Sequence, residues 1–152
     1  MPEEDVRPGL ERFVEAQRDT YALALSEVRA GRKRTHWMWF IFPQLAGLGF
    51  SETARYYGIR GIDEARAYLA HPVLGPRLVE VMEAAVAIEG RSALEVFGHP
   101  DDLKLRSCAT LFARASPPGS VFERALTRYF PEGPDPRTLQ TLDGRDGPDK
   151  PS

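Results

Sequence analysis

Between Arg32 and Gln44 the chain passes from three cations, Arg32-Lys33-Arg34, through Thr35 and His36 directly into Trp37-Met38-Trp39-Phe40-Ile41-Phe42, and stops at Pro43. No soluble fold leaves a run of large apolar side chains like this in water, and an ordinary core helix does not begin with three cations. The segment therefore has to cross from surface to core within a few residues. It also holds both tryptophans of the chain. Its period is ambiguous. As a helix it is apolar on every side and so buried all round; as a strand it sets Trp37, Trp39 and Ile41 on one face. No alternating partner strand is visible elsewhere. The segment is read as a short buried helix ending at Pro43, because proline disfavours helical geometry in the residue before it.

The remaining sequence is helical in period. Leu10, Phe13, Val14, Tyr21, Ala24, Leu25 and Val28 fall at spacings of three and four, with Gln17 inside the stripe. Asp19 can cap a second helix here, so one bent helix and two short ones both remain open. Gly31 is a C-terminal stop, and Arg29, Arg32 and Lys33 suit the negative end of the helix dipole. Gly47-Leu48-Gly49-Phe50-Ser51 is a turn, with Ser51 capping a helix that ends near Gly58. Asp63 is expected to cap a helix over 64–70, broken by His71-Pro72. Leu74, Leu78, Val81, Met82, Ala85 and Ile88 make the cleanest amphipathic stripe. Ser92 with Glu95 is a capping box for a helix closed by Gly98. Pro100-Asp101-Asp102 opens another, striped by Leu105, Cys108, Leu111 and Phe112. A loop at Pro117-Pro118-Gly119 precedes a second box, Ser120 with Glu123, and a helix over 121–130.

The expected architecture is all-α: one compact domain over 9–142, of seven or eight short helices in an irregular orthogonal array. A flexible lead-in is expected over 1–8. A disordered tail is expected over 143–152, where Pro, Gly and Asp accumulate. With 152 residues the chain has the length for a single core.

Charge and composition exclude several classes of function. Twenty Lys and Arg against 22 Asp and Glu leave a net charge of −2, not the basic excess that coats nucleic acid. The apolar run over 37–42 is far too short to span a bilayer. The acidic start, Met-Pro-Glu-Glu-Asp, lacks the features of a signal peptide. A single cysteine forms no internal disulfide and fits a reducing compartment, so a cytoplasmic protein is expected. His36, His71 and His99 are far apart and two precede proline, so no metal and no cofactor is expected.

Several residues can carry chemistry. On a helix, Lys104, Ser107, Cys108 and Leu111 share a face. Lys104 then either snorkels to water or, with Ser107 and Thr110, surrounds a phosphate or carboxylate. His36, Trp37 and Trp39 can stack on a planar ligand, with Gln44 reading its edge; equally, the tryptophans can be core with their N–H groups on backbone. Gln17 and Tyr57 suit either pocket lining or satisfied buried hydrogen bonds. Cys108, inside an apolar stripe, reads as an inert small hydrophobe.

The quoted motifs also resemble a known family. His36-Trp37-Met38-Trp39-Phe40-Ile41-Phe42-Pro43-Gln44, Gly47-Leu48-Gly49, Tyr68-Leu69-x-His71-Pro72-x-Leu74-Gly75-x-Arg77-Leu78, Phe97-Gly98-x-x-Asp101-x-x-Lys104-Leu105 and Thr110-Leu111-Phe112 are similar to a bacterial domain-of-unknown-function family sometimes labelled "calpastatin". The resemblance covers about residues 10–140 and implies a mainly helical fold without a settled activity. The chain departs from the family where Ser-Ser-Met-Thr is expected and Ser107-Cys108-Ala109-Thr110 stands, which favours Ser107 over position 108 as a shared hydroxyl. A looser likeness, His plus aromatics ending in Gln with a distant Asp and Lys, is to small helical N-glycosidases acting on ADP-ribose-type substrates.

The expectation is a small anionic, nucleotide-like or ADP-ribose-like ligand bound by Trp37, Trp39, Gln44, Tyr57, Lys104, Ser107 and Thr110, with or without its hydrolysis. In a hydrolase, His36 and Asp101 would be the catalytic pair. The alternative is a protein-interaction module presenting the tryptophan-rich segment as a hot spot, with a partner the sequence does not specify.

Overall fold

Ser51, Ser92 and Ser120 each start a helix by accepting a hydrogen bond from the amide three residues on, at 3.0, 3.1 and 3.3 Å. Ser92 and Glu95 complete the reciprocal capping box. Glu123 instead turns its carboxylate to the amide of Gly119. These caps punctuate a computed structural model described for residues 9–146.

The helices are α1 (Glu11–Gln17), α2 (Tyr21–Arg29), α3 (Met38–Ile41), α4 (Glu52–Tyr57), α5 (Ile62–Ala70), α6 (Leu74–Ala87), α7 (Ala93–Phe97), α8 (Asp101–Arg114), α9 (Val121–Tyr129) and α10 (Pro136–Asp146). They form one all-α domain. Among the described residues the only β pairing is an isolated parallel bridge between Leu45 and Ile59. Among the described residues no helix is long and apolar enough to cross a membrane. The lead-in expected over 1–8 and the end of the expected tail, 147–152, lie outside the described residues.

The two longest helices, α6 and α8, organise the core: α2, α5 and α9 pack on α6, and α5, α7, α9 and α10 on α8. Between them Phe13, Trp37, Phe42, Tyr68, Leu78, Met82, Leu105 and Phe112 are fully buried. Phe13 meets Tyr68 edge-on at 5.1 Å between centroids, and Phe42 meets Phe97 at 5.8 Å, the geometry that aromatic quadrupoles favour.

Two helices, not one bent one, fill the first stripe, and Asp19 caps neither: Thr20 occupies the cap of α2 without a side-chain bond. Asp63 lies inside the first turn of α5, which starts at Ile62, two residues earlier than the cap would allow. The basic run serves a different purpose from the one its place after α2 suggests. Lys33 does not sit on the dipole of α2 but reaches Asp101 on α8.

The tryptophan-rich helix is only four residues long and is not buried all round. Met38 and Ile41, three apart, face the core, while Trp39 and Phe40 are half-buried on the opposite side. It is held by Glu27. This buried carboxylate accepts from the amides of Arg34 (2.8 Å) and Thr35 (3.1 Å), from the Thr35 hydroxyl (2.9 Å) and from the Trp37 indole (2.9 Å). Burial alone would push its pKa up; the hydrogen bonds from Arg34, Trp37 and Thr35 outweigh that and hold it below the usual glutamate value.

Two buried polar side chains fasten α1. Gln17 donates to the carbonyl of Phe40 (2.8 Å) and to the Tyr68 hydroxyl (3.1 Å), so it is a satisfied core group and not pocket lining. Arg12, which the sequence periodicity gave no reason to single out, bonds Tyr56 O and Gly58 O and pairs with Glu64.

Residues 143–146, placed in the tail by their composition, form the last turn of α10. Asp135 is the N-cap of that helix, its carboxylate accepting from Thr138 N at 3.1 Å, and Pro136 supplies the first helical residue.

Candidate functional site

Three stretches distant in sequence enclose a cleft of about 380 Å³. Trp39 on α3 and Gln44, Leu48 and Gly49 on the following loop form one wall. Pro100, Leu103, Lys104, Arg106 and Ser107 of α8 form the second, and Asp135 and Arg137 at the start of α10 form the third. Gly49 is needed for the close approach of the first wall: a Cβ there would lie 2.9 Å from the Cβ of Ala54.

Lys104 is the central cation. Its ammonium stands 4.2 Å from the centre of the Trp39 ring and 2.9 Å from Oδ1 of Asp101. The other oxygen of Asp101 takes Lys33 at 2.9 Å, and Lys33 in turn lies over Trp37 at 5.1 Å. One aspartate thus bridges two lysines, each resting on a tryptophan. Burial raises the Asp101 pKa, and the hydrogen bonds and charges of the two lysines bring it below the usual aspartate value.

The arginines are anchored as well. Arg106 donates to the carbonyls of Gly133 and Pro134, at 2.8 and 3.1 Å, fixing the approach to α10. Arg137 reaches across to the carbonyl of Leu48 at 3.3 Å, joining the third wall to the first. Asp135 is held through one oxygen, Oδ2, which accepts from Ser107 Oγ (3.1 Å), Thr138 N (3.1 Å) and Thr138 Oγ1 (2.6 Å).

Gln44 is the exception to this saturation. Only 9% exposed, it has a buried Nε2 without a hydrogen-bond partner among the described residues. A buried donor left unpaired costs about 1–3 kcal/mol.

The structure brings together four of the residues singled out in the sequence: Trp39, Gln44, Lys104 and Ser107 all line the cleft. Asp101 stands behind Lys104, outside the lining. Thr110 lies one step further back, donating to Arg106 O and accepting from Asp135 N at 2.8 Å each, so it positions the third wall. Tyr57 is packed against Phe13, Phe40 and Tyr56 beside a void of about 10 Å³ behind Gln44. Trp37 is core, at 1% exposure, its indole N–H on the Glu27 side chain and not on backbone. His36 is exposed and does not reach the cleft. Cys108 is fully buried, and burial pushes its thiol well above the usual range, as an inert hydrophobe requires. Among the described residues no group of His, Cys, Asp and Glu is arranged to hold a metal ion.

Sequence reasoning missed Arg106, Asp135 and Arg137. The one available signal was Asp135-Pro136, an N-cap followed by proline at the first helical position.

Comparison with known proteins places this geometry in a family. Residues 7–142 match the model of a family described as a protein of unknown function, DUF1810. The chain is similar to the crystal structure of the conserved hypothetical protein Rv1873 from Mycobacterium tuberculosis, at 53% identity and a TM-score of 0.86. That similarity covers 88% of this chain and 95% of the other. No curated protein matches the chain.

Proposed function

The chain belongs to the DUF1810 family of proteins of unknown function, and from that premise we propose that its cleft binds a small anionic, nucleotide-like ligand. Gln44 carries the proposal. Its side chain lines a cleft whose other polar groups are anchored, its buried Nε2 has no partner among the described residues, and a turn of the amide toward the cleft would let an acceptor on a ligand satisfy it. Lys104, Arg106 and Arg137 supply positive charge to the same space, and the half-buried Trp39 supplies an aromatic face. The proposed activity is binding. Of the pair that hydrolysis was expected to use, His36 lies away from the cleft and Asp101 is engaged by two lysines.

The test is thermal unfolding followed by intrinsic fluorescence against phosphate, nucleotides, NAD and ADP-ribose. A ligand at 100 times its dissociation constant should add about 2.7 kcal/mol, a shift of several degrees for a domain of this size. Lys104→Ala should abolish the shift while leaving an unliganded transition that remains cooperative. Absence of any shift in the wild type, or an undiminished one in Lys104→Ala, sinks the proposal.

The alternative, an interaction module, draws little support from the tryptophans, one of which is core and the other half-buried in the cleft wall. What favours it is Phe50, 81% exposed beside the 43% exposed Tyr56. Phe50→Ser would weaken capture of a protein partner and leave ligand-induced shifts unchanged.

A further inference from the structure

Within the proposed ligand site, and resting on that proposal, we infer that the ligand is a hydroxyl-bearing phosphate monoester of sugar-phosphate size, with Asp135 accepting from its hydroxyls.

Asp135 is the only carboxylate lining the cleft among the described residues, and it is not paired with the arginines beside it. Arg106 spends its hydrogen bonds on Gly133 O and Pro134 O, and Arg137 donates to Leu48 O. Three donors fix Oδ2 of Asp135, so the carboxylate cannot swing away, while Oδ1 has no hydrogen-bond partner among the described residues. The cleft therefore offers two groups that other side chains leave open. Gln44 Nε2 is buried without an acceptor, and Asp135 Oδ1, on a half-buried side chain, is open to a donor from solvent or ligand.

A polyanion without a hydroxyl, such as sulfate, meets only the first of these and is repelled by the second. A phosphate ester carrying hydroxyls meets both, setting its anionic end among the cations and a hydroxyl on Asp135. Charge-assisted bonds of this kind are stronger than neutral ones and demand a specific donor. Volume narrows the class further. About 380 Å³ is near the lower limit of ligand pockets, room for a sugar phosphate or a mononucleotide, whereas a dinucleotide would extend into solvent.

The experiment is titration calorimetry on the full chain with three probes: sulfate, propyl phosphate and ribose 5-phosphate. Wild-type protein should prefer ribose 5-phosphate over both others by roughly tenfold or more, the discrimination expected of a hydrogen bond to a charged group. Asp135→Asn keeps a good helix cap and removes the charge. It should lose most of that preference and bind sulfate more tightly than wild type does. A purely structural role for Asp135 would weaken all three probes together. Equal wild-type affinity for ribose 5-phosphate and propyl phosphate overturns the hydroxyl assignment and leaves the anion site standing. Binding of none of the three overturns both. The wild-type ratio decides the matter even where the variant fails to fold.

Discussion

A single amide illustrates how function and stability compete at the level of one residue. Gln44 is buried with an unmet donor, so replacing it by the similarly shaped Met removes an unsatisfied group from the protein. Gln44→Met should raise the unfolding free energy by about 1 kcal/mol and abolish ligand-induced stabilisation. Loss of stability in that variant would mean that the amide already has a partner in the free protein. Glu27 and Asp101 give a second prediction at this scale. Both have folded-state pKa values below the usual carboxylate range, so the folded protein binds fewer protons than the unfolded chain in moderate acid. Their contribution is complete above the unfolded values, near 4.5 and 3.8, and is lost as pH falls through the lower folded values. Melting temperature should therefore drop through this acid range, and in Glu27→Gln it should be lower at neutral pH but fall less steeply. Parallel pH curves for variant and wild type would remove Glu27 from the account. Lys104 was legible in the sequence because its helical neighbours placed it at the edge of an apolar stripe. Glu27 was not, since two of its donors are backbone amides that leave no mark on residue type and the other two, Thr35 and Trp37, lie beyond the end of its helix where periodicity does not reach.

Helix starts were readable wherever a short side chain satisfies an orphan amide, as at Ser51, Ser92 and Ser120. They were misread at Asp19 and Asp63, where packing fixes the boundary and the carboxylate is left to the solvent. Helix α10 was hidden by its own composition. The density of Pro, Gly and Asp past Pro131 gave no helical period, so no helix was legible over 135–142 and the tail expected over 143–152 took in its last turn. Yet Asp135 and Pro136 are a cap and a first turn, and Thr138 and Leu142 are buried. Two glycine substitutions test this element-level account in opposite directions. In α6, a Cβ on Gly75 would fall 2.1 Å from the carbonyl oxygen of Leu69, so Gly75→Ala should push α5 and α6 apart and cost about 1–3 kcal/mol. In α10, a Cβ on Gly144 would meet nothing within 4 Å. Gly144→Ala should accordingly add about 0.5–1 kcal/mol through helix propensity alone. Chemical denaturation of both variants measures the difference; a neutral or destabilising Gly144→Ala would mean that 136–146 is not helical in solution.

At the scale of the molecule, the cleft exists only because α3 with its loop, α8 and the start of α10 converge, from positions as far apart as Leu48 and Arg137. Periodicity reports what one element does, and carries nothing about which cations meet across the fold. That is why Lys104 could be singled out and Arg137 could not. The same construction makes the third wall a lever on the whole site. Leu142 is 1% exposed and anchors α10 to the core. Leu142→Ala should cost about 2–5 kcal/mol, the range for a truncated core leucine, and should loosen α10 before the rest of the domain unfolds. The two tryptophans can report these events separately. With Trp37→Phe the remaining indole is Trp39, in the cleft wall; with Trp39→Phe it is Trp37, in the core. Adding Leu142→Ala to the first background should shift emission to longer wavelength and increase acrylamide quenching at temperatures well below the melting transition. The same addition to the second background should change neither until global unfolding. Simultaneous change at both indoles would show that α10 and the core unfold as one unit, and that the cleft cannot open without the domain.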